Sequence, residues 1–282
     1  MPPLILLLVL SAAVMHASWN ALVKVGGDPL ARLALVNLAC SAMAVPVIAI
    51  VGLPDAASLP YLAISVVVHN AYYGLLTLSY QVGDLSYVYP LARGSAPLIV
   101  AVMTFVFAGE QLSAPGMLAV ATICVAILSL ALTGRDHGRH GWKATTAALA
   151  TGLSIACYTN SDGLGARASG NPIAYVSVLF LLEGLPLIGF LWMARRRILG
   201  ETLRAAWRPG LIGGALAFLG YAIVVWSFAH APITLVSAVR EVSVVIAAMI
   251  GVRMLGEPFG LRRVAAAAAV VLGIVLLDVS PA

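Results

Sequence analysis

Apolar and polar positions along this chain separate into long blocks. Ten apolar stretches of about 18 to 24 residues follow one another, each long enough at 1.5 Å per residue to cross a ~30 Å hydrocarbon core as a helix. They run near Leu4–Val23, Arg32–Ile50, Leu59–Gln81, Leu85–Ala108, Pro115–Leu132, Ala144–Leu164, Pro172–Met193, Pro209–Ala229, Pro232–Met254 and Phe259–Leu277, with short loops between them. The pattern predicts an all-α integral membrane protein of ten transmembrane helices. The first stretch, "LILLLVLSAAVMHASW", lacks the basic start of a secretory signal, and its polar face continues through Asn20 and Lys24. It is therefore expected to be a true first helix.

Polar residues inside these spans recur at helical spacing and so share faces. Helix one carries His16, Asn20 and Lys24; helix three carries His69, Tyr73, Thr77 and Tyr80, with Asn70 and Tyr72 beside them. Ser154, Tyr158 and Asp162 line up on helix six, and helix eight offers Tyr221, Trp226 and Ser227. Such stripes serve either to hydrogen-bond neighbouring helices or to line a cavity, and Tyr158 also suits an interfacial aromatic. Helices five and ten are almost purely Ala, Val, Leu and Ile and are expected at the periphery.

Composition agrees with this pattern. Of 282 residues 62% are hydrophobic and 10% charged, where a soluble domain averages roughly 25% charged; mean hydropathy is +1.03. A net charge of +5 would suit a nucleic-acid partner, but its distribution does not. Of the 16 basic residues, all but Arg93, Arg167 and Arg240 flank odd-numbered loops, five of them in "ARRRILGETLRAAWR". The positive-inside rule puts those loops in the cytoplasm and both termini in the periplasm. The expected partners are the lipid bilayer and a small solute, with no nucleic acid, and the chain acts as a monomer or homodimer. Cys40, Cys124 and Cys157 fall inside apolar spans, where packing is the expected role. His137 and His140 share a charged loop as a solvated pair; no metal or cofactor is expected.

Laid over itself, the chain repeats. Arg93 falls on Arg240, Gly109-Glu110 on Gly256-Glu257, Asp28-Pro29 on Asn171-Pro172 and Lys24 on Arg167. This divides the chain into a first five-helix repeat over 1–134, a basic connecting loop over 135–143 and a second repeat over 144–282. Five is odd, so the halves enter the membrane in opposite senses. Inverted repeats of this kind place a ligand site near the midplane and support alternating access. Each Gly-Glu pair precedes a helix, so its carboxylate is expected at that helix's N-terminus, where the dipole favours it.

Arg93 and Arg240 each lie about 12 Å deep in helices four and nine. A charge there costs about 2.5–3.5 kcal/mol even on the lenient insertion scale, so a cavity or a partner is the default expectation; snorkelling toward headgroups is the alternative. Glu241 adjoins Arg240 but projects about 100° away around a regular helix, so it is not an automatic partner. Glu183 is the other buried carboxylate, suited to neutralising an arginine or to binding a proton or a substrate amine. Pro97 deprives the Arg93 carbonyl of its helical donor and Pro90 does the same to Ser86. Helix four is therefore expected to bend during transport, and helix nine, with Val244 in place of the second proline, mostly not.

"SDGLGAR" is similar to part of the signature of membrane CDP-alcohol phosphotransferases, but Thr159 stands where that signature needs an aspartate, and no carboxylate pair follows. Without clustered carboxylates there is no metal site for phosphoryl transfer. "HASWNALVK", the paired Gly-Glu helix ends and the five-plus-five duplication instead resemble the EamA-type branch of the drug/metabolite transporter superfamily. The resemblance implies a ten-helix alternating-access carrier of the bacterial inner membrane, often an exporter, of amino acids, nucleotides, sugars, organic cations or other small metabolites. One branch with a similar first helix is associated with phosphonate use. The first-helix carboxylate of the small four-helix multidrug members has no counterpart here, where His16 and Asn20 occupy mid-helix.

Paired guanidinium groups favour a carboxylate, phosphonate or phosphate. The expected function is transport of a small anionic or zwitterionic metabolite such as an amino acid or organophosphonate. Its expected contacts are Arg93, Arg240, His16, Asn20, His69, Asn70, Tyr73, Tyr158, Glu183, Tyr221 and Trp226, with Pro90 and Pro97 as hinge. A multidrug or organic-cation exporter and an intramembrane enzyme are the alternatives.

Overall fold

The structure is a computed structural model that describes residues 1–24, 28–83, 85–131, 141–255 and 261–279. The pair Gly256-Glu257, residues 132–140 with His137 and His140, and the side chains of Lys24, Arg253, Arg262 and Arg263 lie outside the described residues. What is described is helical: α1 (Pro3–Lys24), α2 (Pro29–Val51), α3 (Leu59–Val82), α4 (Leu85–Ala108), α5 (Ala114–Ala131), α6 (Trp142–Ala168), α7 (Pro172–His230), α8 (Ile233–Arg240), α9 (Val242–Leu255) and α10 (Leu261–Val279). Among the described residues, six helices are long and apolar enough to cross a membrane, and the chain is a multi-pass membrane protein.

The helix ends follow from local chemistry. Asp28 caps α2 by accepting from the Ala31 N–H at 2.9 Å, and Asn171 caps α7 by accepting from the Ile173 and Ala174 N–H groups. In both a proline follows at the first helical position, where its missing N–H costs nothing. These are the two pairs that align in the sequence, and they do the same work. Gly109, at φ +63°, closes α4 in the left-handed conformation, and the Glu110 N–H turns back to the Thr104 carbonyl at 3.1 Å.

Two features of the helices matter. The expected seventh and eighth helices lie within α7 and are parted by non-helical backbone at Arg195 and Ala206. Pro209 accounts for the second kink, since it cannot donate to the preceding turn. The expected ninth helix is divided: α8 ends at Arg240, Glu241 occupies a tight turn, and α9 starts at Val242. Conversely, α4 runs unbroken through Pro90 and Pro97, both buried. The interruption lies in the counterpart, at Glu241. Prolines at membrane depth are tolerated within a continuous helix.

Small residues set the packing, as they do between helices in lipid. Glycines 184, 210, 213 and 214 of α7 press against α2, where Ser41 donates to the Phe180 carbonyl at 2.9 Å. At Gly152 of α6, a Cβ would lie 2.9 Å from the Ala92 carbonyl oxygen of α4. Helices α5 and α10 pack on each other. This arrangement leaves α1, α3, α4, α6, α7 and α8 around one internal space.

Candidate functional site

That space is a cavity of about 130 Å³. Helix α1 contributes His16, Trp19 and Asn20; α3 contributes His69, Tyr72, Tyr73 and Tyr80. Tyr89 and Arg93 come from α4, Tyr158 from α6, Phe180, Glu183 and Tyr221 from α7, and Arg240 from α8. Helices α5 and α10 contribute nothing to this lining. The walls are aromatic and the polar groups few, the usual make-up of a small-molecule pocket.

Both arginines are 3% exposed, and neither snorkels. Arg93 Nε lies 2.6 Å from Glu241 Oε2, and Arg93 Nη2 donates to Ser243 Oγ at 3.3 Å. Arg240 Nη2 lies 3.7 Å from Glu241 Oε1 and donates to Thr159 Oγ1 at 3.5 Å, with its guanidinium 5.9 Å from the Tyr158 ring centroid. Glu241, fully buried, therefore stands between the two cations. Glu241 was not expected as an automatic partner of its neighbour Arg240; its closer partner is Arg93, on α4.

Glu183, 4% exposed, accepts from the Tyr73 hydroxyl at 2.5 Å and makes no ion pair among the described residues. Of the roles it suits, neutralising an arginine falls to Glu241, which leaves binding a proton or a substrate amine. Asp162 is fully buried and accepts from the Tyr175 hydroxyl at 3.0 Å and from the Tyr221 hydroxyl, so it positions a wall residue from behind. His69 stacks on Tyr158 with ring centroids 4.0 Å apart, and its Nδ1 is within 3.0 Å of both the hydroxyl and the carbonyl oxygen of Ser65. The Asn20 amide donates to the His16 carbonyl at 2.8 Å.

Of the residues expected to bind solute, His16, Asn20, His69, Tyr73, Arg93, Tyr158, Glu183, Tyr221 and Arg240 come together on this cavity. Asn70 and Trp226 do not. Asn70 donates to the Val66 carbonyl of its own helix, and Trp226 stacks on His230 at 4.1 Å. Tyr89 and Phe180 line the cavity without having been singled out; their apolar bodies gave no signal in an already apolar helix.

A second cluster lies near one end of the bundle. Arg167 Nη2 donates to Glu110 Oε1 at 2.5 Å and to the Ala231 carbonyl at 3.1 Å, while its Nε donates to the Phe228 carbonyl at 3.0 Å. Glu110 Oε1 also accepts from the Ile233 N–H at 3.0 Å. Glu110 was expected at the start of the helix that follows it. It caps α8 instead, because the left-handed Gly109 turns the chain toward the other half.

Comparison with known proteins agrees with this architecture. A crystal structure of a protein superposes with a TM-score of 0.77 over 97% of this chain and 95% of that one, at 13% identity, which is a likeness of fold alone. No curated protein matches the sequence. The family model described as EamA-like transporter family matches residues 142–278. That family, part of the drug/metabolite transporter superfamily, is one of transporters and not of enzymes. The chain carries an EamA-like transporter family domain over residues 142–278.

Proposed function

We propose that the chain is an alternating-access secondary carrier for a small anionic or zwitterionic metabolite, bound near the midplane between two inverted five-helix repeats. The repeats would comprise residues 1–134 and 144–282, joined by the basic loop 135–143. Ten crossings follow if α7 spans twice around its Arg195 and Ala206 kinks and α8 with α9 spans once.

The observation that carries the reading is the meeting of Arg93 and Arg240 at one small, aromatic-walled cavity, each 3% exposed. Together with Glu241 they sum to one positive charge, which a single oxyanion on the solute would balance. A guanidinium offers the oxyanion paired donors in a fixed fork. His16, Asn20 and Tyr158 supply further polar edges, and the rings supply the apolar wall.

The lining residues come from the ends of α1 and α3 nearer the first and third loops and from the start of α4. At the opposite end Glu110, Arg167 and the α7–α8 connection are tied together. We read this conformation as the one open toward the odd-numbered, basic loops.

Glu183 beside aromatic walls favours a second reading, an organic-cation carrier. Uptake by proteoliposomes decides between them. Labelled monoanions and zwitterions are expected to be carried, and Arg93→Ala or Arg240→Ala to abolish that uptake. Transport of quaternary amines alone, unaffected by either substitution, would favour the second reading.

A further inference from the structure

Helix α8 is only eight residues, about 12 Å long, yet it is pinned to α4 at both ends. At its start, the Ile233 N–H donates to Glu110, which follows the last turn of α4. One residue on, Thr234 Oγ1 lies 2.7 Å from Thr104 Oγ1 of α4. Just past its last residue, Glu241 meets Arg93 of α4 at 2.6 Å. A turn at Glu241 separates α8 from α9.

On the strength of the anion reading above, we infer that Glu241 is a tethered stand-in for the solute's oxyanion: seated on Arg93 it holds α8 against α4, and an incoming oxyanion replaces it there and frees α8. The charges allow the exchange. Glu241 Oε2 faces Arg93 while Oε1 lies 3.7 Å from Arg240 Nη2. When an oxyanion takes Arg93, the Glu241 carboxylate keeps Arg240, and no buried ion is left alone. The three-residue cluster then passes from one net positive charge to none. The remaining ties at the start of α8 are the Ile233–Glu110 and Thr234–Thr104 hydrogen bonds, the first backed by the Glu110–Arg167 ion pair. A shift of α8 carries the Ile233–Glu110 contact with it, and so couples solute binding to the end closed by Glu110 and Arg167.

The test uses the purified full-length chain with Gln111→Cys and His230→Cys, both at exposed positions flanking the Glu110–Arg167 contact, and Cys157→Ser. Spin labels report the distance across the contact, and calorimetry gives affinity for methylphosphonate and acetate. The native chain is expected to show one short distance that lengthens with either anion. Glu241→Gln is expected to show the longer distance with no anion present and to bind methylphosphonate at least about tenfold more tightly. A short distance in Glu241→Gln, or looser binding than the native chain, overturns the inference. A long distance in Glu241→Gln with no anion acting on the native chain upholds the α8 device and overturns the anion reading. Should Glu241→Gln fail to fold, Arg93→Gln combined with Glu241→Gln removes both charges; the long distance is again expected, and a short one overturns the inference.

Discussion

Arg93 and Glu241 meet at 2.6 Å in a place where neither is more than 3% exposed, and they join α4 to the turn that divides the ninth span. A pair this deep is stabilising only as a pair. Taking both ions from water costs several kcal/mol each, and losing one partner strands the other.

Arg93→Ala is accordingly expected to lower stability by about 3–5 kcal/mol, seen as a large drop in the apparent melting temperature in detergent. Replacing Arg93 and Glu241 together by methionine is expected to cost less than Arg93→Ala alone, since no charge is then buried unpaired. Melting of Arg93→Ala at the native temperature would show that the pair contributes little.

Glu110→Ala removes the acceptor for the Ile233 N–H and the partner of Arg167 at once. An unmatched buried donor costs about 1–3 kcal/mol, and Glu110→Gln, which keeps an acceptor oxygen, is expected to cost less. Hydrogen exchange at residues 233–236 checks this directly: exchange should quicken in Glu110→Ala and only slightly in Glu110→Gln.

Gly152→Ala would set a Cβ 2.9 Å from the Ala92 carbonyl oxygen and also against the Ser95 hydroxyl. Backbone cannot yield as a side-chain tip can, so α4 and α6 must separate at a cost of about 1–3 kcal/mol. Gly74→Ala, where a Cβ meets open space, serves as the control and is expected to be neutral in the same melting assay.

Asn70→Ala and Trp226→Ala are expected to leave solute affinity within about twofold, because neither side chain lines the cavity. Tyr158→Ala, which removes a wall lying under Arg240 and stacked on His69, is expected to weaken binding by about tenfold, or 1.4 kcal/mol. Equal losses at all three positions, read by calorimetry, would move the site elsewhere.

Much of this arrangement can be read from the sequence. Apolar blocks and helical spacing located most of the helices to within a few residues, and nine polar residues chosen by shared face or by depth converge on one cavity. Asn70 and Trp226 failed because a residue one position off a stripe points to a different neighbour. Glu241 was missed for a related reason. Its partner, Arg93, lies on another helix, α4, which spacing along its own span does not reveal. The partner of Glu110 was illegible because a cap between residues 110 and 233 depends on tertiary placement.

The central claim is that Arg93 and Arg240 bind an oxyanion, and thermal stability measures it most directly, because a ligand selective for the folded state stabilises it by about 2.7 kcal/mol at a hundredfold excess over Kd. A screen of matched solutes, each as carboxylate or phosphonate, neutral amide and amine, is to be run on the native chain and on Arg240→Ala. The account predicts that at least one monoanion raises the native melting temperature by several degrees, that its neutral amide does not, and that Arg240→Ala abolishes the rise. A rise given only by amines, or an anion-induced rise that survives in Arg240→Ala, would contradict it.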